Sequence, residues 1–533
     1  MVMSVTALVS SGKAAGEEGV IRFEDVSAKA GMAMKPRVQH PDVRIAQAQR
    51  NFEDVYATGY LWNIQDVCFA DVNGDGNLDV FLLNEPHGCW SRLWLGNGKG
   101  GFAEFNSEKM PRRYISPSPA WRLLPFDFRG SGAQDLIITS CTSRDAYGAR
   151  VFHGARLNCV TPGEADPAKL RLYGSYSSTA GFTHLLADFD GDGTVDIAAG
   201  VDLDSRGSVG GTGLVFPGIL THGEWELDRT ETPLPIGTQC VAADFDKDGL
   251  TDILSRGHWA QVHLLKNGGR RAFLDQTSGS GLETMPGGGP VAVADFNNDG
   301  LPDIFCSGVG GRDASGKDIP GGVRLYLNQG GGKFKDATQD SGLIPPGKTQ
   351  WTQRFGTATV GDFNNDGLPE ILVCDGDVNR LYLNLGGGKF KDVTKESGLI
   401  EAVMPESSNA AGDFDNDGRV DVLVVTRDKG VGLFHNISRN GNNWVKVRLK
   451  GPKGNPDSAG ARATVFEAGR VGQAGAVIGY QESIFSTDFR MPRPLHFGLG
   501  TRAGCDVRVQ FPGGKTVDKT GVQAGTLLTL SEE

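Results

Sequence analysis

The sequence predicts an all-β fold: a seven-bladed β-propeller followed by a small β-sandwich-like domain. Three observations carry that prediction. An acidic nonapeptide recurs in near-constant steps from Asp71 to Asp421. Short apolar strand patterns flank every copy. From about Asn443 the recurrence stops and period-two strands follow one another to the end.

Intact copies begin at Asp71, Asp188, Asp244, Asp295, Asp362 and Asp413, as in DFDGDGTVDI and DFNNDGLPDI. The first interval is twice the others, and DFRGSGAQDL at Asp127 fills its middle. The steps are then 56, 61, 56, 51, 67 and 51 residues. Each unit reads as four strands. One apolar strand precedes the loop (GTQCVAADF) and one follows it (TDILS). A third reads RLYLNQGGGKF at Arg324, and a fourth reads KFKDATQDSGL. A four-stranded blade cannot bury both faces alone, so blades must stack. IRFEDVSAKAG at Ile21 matches the fourth-strand pattern but has no unit before it, while the last unit lacks a fourth strand. The N-terminal strand is therefore expected to complete the last blade and leave no open edge.

The chain divides accordingly. Residues 1–20 are a disordered lead or signal remnant, excluded from the fold. Residues 21–440 form the propeller and residues 441–533 the β domain. In the latter, WVKVRL, ARATVFEA, AVIGY, LHFGLG, DVRVQF and TLLTL alternate as strands, with turns such as FPGGKTV between them. His496 in LHFGLG reads as a packed strand residue. The 77 glycines suit many tight turns. A net charge of −11 argues against nucleic-acid binding, and no apolar run is long enough to span a membrane. The eight cysteines form no CxxC pair and read mainly as small buried hydrophobes.

The loop pattern is D-x-[DN]-x-D-G-x-x-[DE], with oxygen ligands at places one, three, five and nine. In a tight turn these converge, and the glycine at place six lets the backbone fold back. A hard cation taking six to eight oxygens fits, and Ca²⁺ fits best. The expected ligands are Asp71, Asn73, Asp75 and Asp79; Asp188, Asp190, Asp192 and Asp196; Asp244, Asp246, Asp248 and Asp252; Asp295, Asn297, Asp299 and Asp303; Asp362, Asn364, Asp366 and Glu370; and Asp413, Asp415, Asp417 and Asp421. That makes up to six sites. EF-hands start alike but need a glutamate at place twelve and flanking helices. Neither is present. At Asp127, Arg129 and Ser131 stand at ligand places three and five, so no metal is expected there and Arg129 is expected to supply the cation.

On these motifs the units resemble FG-GAP/VCBS repeats, the calcium-binding blades of integrin-α-like propellers. QRFGTATVGDFNNDG at Gln353 shows the Phe-Gly and Gly-Asp elements. NWVKVRLKG, GARATV, GYQES, LHFGLG and VRVQFPGGK resemble, in order, an ASPIC/UnbV domain. Together they cover nearly all the chain after residue 20 and resemble the cartilage acidic protein family. The resemblance implies a secreted or surface protein, extracellular or periplasmic, whose repeats are structural and adhesive. It also implies an alternative, because some propellers with similar loops are lyases or dehydratases on carbohydrates, or alkylating cyclases.

All calcium loops join first and second strands, so they share one face of the ring. Segments converging on the opposite face carry Trp62, Trp121, Arg122, His184, Trp259 and Arg354, a set suited to a carbohydrate, peptide or protein ligand. Under the enzyme alternative the candidate catalytic residues are His184, Arg122, Asp202 and His258, with His184 doing acid/base work beside Asp202 or His258. A deep polar channel would favour the enzyme, and a plugged one would favour binding.

Overall fold

The computed structural model describes residues 21–32, 63–85, 92–105, 120–140, 155–158, 172–176, 183–200, 213–222, 224–228, 230, 232–257, 261–308, 310–312, 316, 318–343, 357–375, 378–399, 408–426 and 430–532. Each sequence unit becomes one antiparallel sheet with its strands in order, and seven such sheets are described. Blade 1 starts with the inner strand Asn63–Ala70, blade 2 with Ala120–Phe126 and blade 3 with Thr183–Ala187. Blades 4 to 7 start with Gln239–Ala243, Val291–Ala294, Ala358–Gly361 and Asn409–Gly412. The inner strands lie side by side around a ring, except that Phe485–Ser486 contacts the inner strands of both blade 2 and blade 3.

The apolar core lies between blades rather than within them. Leu423, Leu433, Val67 and Val80 join blades 7 and 1, while Val215, Ile236, Cys240 and Ile253 join blades 3 and 4. This is the stacking that a two-faced apolar sheet requires. The expected closure is present. Phe23–Asp25 pairs antiparallel with the third strand of blade 7, Phe23 opposite Asn436 and Asp25 opposite Phe434. Two hairpins had no sequence counterpart. Gly218–Thr221 with Glu224–Leu227 projects from blade 3, and Gly311–Arg312 with Asp318–Ile319 projects from blade 5.

In blades 4 to 7 a buried asparagine locks the blade to the one before it. The third strands of blades 4 to 7 end on Asn267, Asn328, Asn384 and Asn436, which are almost wholly buried. Each Nδ2 donates to the carbonyl of the phenylalanine in the previous blade's acidic loop: Phe189, Phe245, Phe296 and Phe363, at 2.7 to 3.0 Å. The same Nδ2 also donates within its own blade, for example Asn328 to Pro302 O at 3.0 Å. Buried carbonyls need such partners. The recurring LYLN, LLKN and LFHN strings are the signature of this link.

The C-terminal domain is the expected sandwich. A three-stranded sheet orders Leu495–Gly500, Asn443–Lys450 and Thr526–Ser531, with the last pair parallel. A four-stranded sheet orders Val477–Glu482, Arg462–Glu467, Gly504–Gln510 and Thr516–Gln523. Val445, Val447, Ala463, Phe497 and Val507 lie in the core between them. Thr516–Gln523 is a strand that the sequence did not announce; its first two residues fall in the expected FPGGKTV turn. Its side chains are nearly all exposed and polar, so it has no apolar period to read.

Residues 483–494 leave the sandwich and enter the ring. Phe485–Ser486 adds antiparallel to the inner strand of blade 3, Ser486 opposite Leu185. Phe489–Arg490 then adds parallel to the inner strand of blade 6, Phe489 opposite Ala358. The segment therefore runs down one side of the channel, turns at Thr487 and Asp488, and returns up the other. Nothing in the sequence announced this plug.

Candidate functional site

The acidic loops share one geometry. The first aspartate turns back on its own loop: Asp71 accepts from the N–H of Gly74 at 2.8 Å, Asp75 at 3.1 Å and Gly76 at 2.8 Å. Asp295 accepts likewise from Asp299 at 2.9 Å and Gly300 at 2.7 Å. Gly76, Gly193, Gly300 and Gly418 at place six all have φ between 85° and 87°. Place four is left-handed as well, at Asn298, Asn365 and Asn416 with φ of 59° to 60°, a requirement the pattern did not reveal. The ninth residue binds the loop to the blade. Asp303 accepts from Phe296 N at 2.9 Å and from Asn328 N at 2.8 Å.

Carboxylates converge in three of the loops. Oxygens of Asp188, Asp190 and Asp196 lie within 4.8 Å of one another, as do those of Asp244, Asp246 and Asp248, and of Asp413, Asp415 and Asp421. Burial, reinforced by neighbouring carboxylates, pushes the carboxyl groups of Asp196, Asp252 and Asp303 up to about 8 and that of Asp79 up to about 7. Converging buried oxygens fit a divalent cation, whose charge would offset their mutual repulsion. The loop at Asp127 does not. Arg129 Nη2 lies 2.9 Å from Asp135 Oδ1, and Ser131 Oγ donates to Asp127 at 3.3 Å. The arginine supplies the charge there, as the sequence predicts.

Several cations around the loops were not foreseen. Lys266 contacts Asp246 and lies 3.0 Å from Asp248, and His435 Nε2 lies 3.2 Å from Asp415 and Asp417. Both precede the asparagine that ends the third strand, so the repeat register itself was the available signal. The C-terminal domain adds others. Arg462 Nε lies 3.1 Å from Asp244, and Lys446 contacts Asp413. Gly498 N donates to Asp362 at 2.9 Å and His496 Nε2 meets Asn365 Oδ1 at 2.7 Å. Val195 N donates to Gly454 O at 2.9 Å. The sandwich thus sits on the acidic-loop face, and His496 is a packed strand residue, 2% exposed.

The channel interior is charged and buried. Arg490 Nη2 bonds Asp66 of blade 1 at 2.6 Å, and Leu123 N donates to the same oxygen at 2.6 Å. Asp488 accepts from Cys240 N at 3.0 Å and from the Thr183 hydroxyl. Burial raises its carboxyl, while Thr183, Arg122 and Arg490 pull it down. Of the predicted ligand and catalytic residues, the described structure brings His184 and Arg122 to this plug. His184 is fully buried. Its backbone exchanges bonds with Thr487, N to Oγ1 at 2.9 Å and O from N at 3.1 Å. Burial pushes its imidazole down to about 3. Trp121 lies in the inner strand of blade 2. Trp62, Asp202, His258, Trp259 and Arg354 lie outside the described residues, as do Cys89, Cys141 and Cys159. Cys68, Cys240, Cys306 and Cys505 are buried free thiols.

His184 makes stability pH-dependent. Its folded pKa lies below the unfolded value of about 6.5, so its contribution is complete above that pH and is lost as pH falls toward 3. At pH 5 the loss is about 2 kcal/mol, at about 1.4 kcal/mol per unit. We expect His184→Asn to flatten the acid limb of a denaturation series by that amount. Parallel acid limbs for variant and parent would show that His184 titrates normally.

Comparison with known proteins places these features. The FG-GAP-like repeat family matches residues 71–138, 244–306, 314–373 and 362–424, and the ASPIC and UnbV family matches 451–533. Cartilage acidic protein 1 of Mus musculus is 25% identical over 499 residues, covering 91% of this chain and 67% of its own length. The Homo sapiens protein is 25% identical over 511 residues, covering 93% and 67%. Human integrin alpha-7 is 28% identical over 180 residues, covering 31% of this chain and 14% of its own. The chain thus spans about two thirds of the cartilage acidic proteins it matches. No helix among the described residues is long and apolar enough to cross a membrane.

Proposed function

For a chain that carries FG-GAP-like repeats followed by an ASPIC and UnbV domain, we propose a calcium-stabilised extracellular propeller of the adhesion type. Ca²⁺ would be held by the six loops beginning at Asp71, Asp188, Asp244, Asp295, Asp362 and Asp413. It would neutralise carboxylates that otherwise repel one another. Its role in these loops is to fix the corner between first and second strands. The ligand would be a carbohydrate, peptide or protein, met on the face opposite those loops.

The observation that carries the binding reading is the plugged channel. His184 lies against Thr487 rather than at the floor of an open cleft, and its neutral imidazole is sealed by the chain itself. A site for acid/base chemistry would need solvent or substrate at that nitrogen. Recognition on the rim needs neither.

Stoichiometry tests the calcium sites. Isothermal titration of the chelator-stripped protein should give up to six Ca²⁺. Asp295→Ala should remove one, and Asp127→Ala should remove none. A lost site on changing Asp127 would contradict the arginine-filled loop. The ligand reading is tested by immobilising the chain and screening extracellular glycans and matrix proteins. A bound partner should compete with substitutions of Trp62, Trp259 and Arg354. Turnover of a carbohydrate substrate would replace binding with catalysis.

A further inference from the structure

The strand Asn443–Lys450 reads NWVKVRLK, and its two faces differ completely. Val445, Val447 and Leu449 are buried in the sandwich core. Lys446, Arg448 and Lys450 project from the other face, and Lys453 follows in the next turn. That face lines a cleft of about 780 Å³ between the C-terminal domain and blades 7, 1 and 2. Its volume is that of a ligand-sized site.

Lys446 is occupied by Asp413. Arg448, Lys450 and Lys453 have side chains with no hydrogen bond or ion pair among the described residues, although the chain carries 64 acidic and 53 basic residues. Asp71, Asp127, Asp413 and Asp457 also line the cleft, and none of them pairs with these three cations among the described residues. The neighbouring strand places Thr529 opposite Arg448 and Ser531 opposite Lys450, so small hydroxylated side chains border the row. At the cleft floor, Arg490 is 7% exposed and its Nε has no hydrogen-bond partner among the described residues. No hydrogen bond or ion pair ties the blade 1 loop to the C-terminal domain among the described residues, so Asp71, Gly74 and Gly76 face the cleft from the far wall.

We propose that this cleft binds an extended acidic peptide segment of a partner protein. The spacing selects that ligand. Outward side chains two apart on a strand lie about 6.6–6.8 Å apart. An extended peptide with a carboxylate at every second residue repeats at the same interval, so two successive acids meet Arg448 and Lys450, and Lys453 in the turn adds a third charge beyond them. The arginine offers a bidentate fork to a carboxylate and the lysines offer point charges. The cleft is on the acidic-loop face, so it acts independently of any ligand on the opposite rim.

The test uses the full chain in millimolar calcium and a labelled hexapeptide alternating aspartate and serine, followed by fluorescence anisotropy. Its asparagine counterpart is the control. The aspartate peptide should bind, the asparagine peptide should not, and added salt should weaken binding by screening. The combined Arg448→Ser, Lys450→Ser and Lys453→Ser variant should raise Kd at least about tenfold, the equivalent of one lost charge-assisted contact or more. It should keep the parent melting temperature. Lys453→Ser alone, in an exposed turn, should raise Kd by a smaller factor without risk to folding. Lys519→Ser, an exposed cation outside the cleft, should leave binding unchanged. Undiminished binding by the triple variant overturns the proposal, as does an equal loss with Lys519→Ser. A heparin-type tetrasaccharide that binds through these residues while the peptide does not would overturn it in favour of a sulfated glycan.

Discussion

Chelating calcium is expected to lower the melting temperature of the full chain by about 15 °C. One saturated site at a hundredfold excess over its Kd contributes about 2.7 kcal/mol. Six such sites would contribute about 16 kcal/mol, and at about 2.1 cal/mol/K per residue a propeller of this length shifts by roughly 1 °C per kcal/mol. The structure explains why the loss should be global. In blades 4 to 7 the ninth-place acid is bound to its own third strand, and the asparagine ending that strand is bound to the previous loop. A loop that splays under its own charge therefore withdraws support from two blades. Calorimetry with and without chelator measures the effect, and readdition of calcium should restore it. A melting temperature indifferent to chelator would remove calcium from the account and leave the acids as turn-formers.

Arg490→Ala is expected to be the most damaging single substitution in the C-terminal domain. It strands Asp66, fully buried at the wall of the channel, without its cation. Removing one partner of a buried pair costs about 3–5 kcal/mol, because the other charge remains desolvated. It also deletes the donor to Ser486 O at 3.2 Å, which helps hold the turn of the plug. The plug should loosen before the blades melt, so limited proteolysis should cut within residues 483–494. Arg490→Met combined with Asp66→Asn should recover much of the loss, since no bare charge is then buried and the amide oxygen can still accept from Leu123 N. If Arg490→Ala resists protease as the parent does, the segment is held by its strand pairing alone.

Much of this was written in the repeat. Asp71 to Asp421 gave the loop positions, the flanking strands and the odd loop at Asp127, because seven copies of one unit reinforce a signal that a single copy leaves open. Closure by Ile21–Gly31 was legible because a fourth-strand motif stood without a blade. The plug was not legible. IFSTDFRMPRP has neither helical nor alternating period, and its partners are inner strands that look like those of every other blade. The cations beside the loops were missed for other reasons. Lys446 and Arg462 come from the other domain, which a spacing rule along the chain does not reach, whereas Lys266 and His435 stood at one register position before the third-strand asparagine and went unread.

The bond between Arg22 N and Ser438 Oγ joins residues 416 apart. That separation sets an order of assembly. At about 5–20 residues per second on the ribosome, the strand Phe23–Asp25 emerges roughly 20–80 s before its partner. Throughout that interval the nascent chain carries an unsealed edge at each end of a growing arc, and a strand edge is a template for any other chain nearby. Synthesis stalled before residue 430 therefore leaves a product primed to join its neighbours on the polysome.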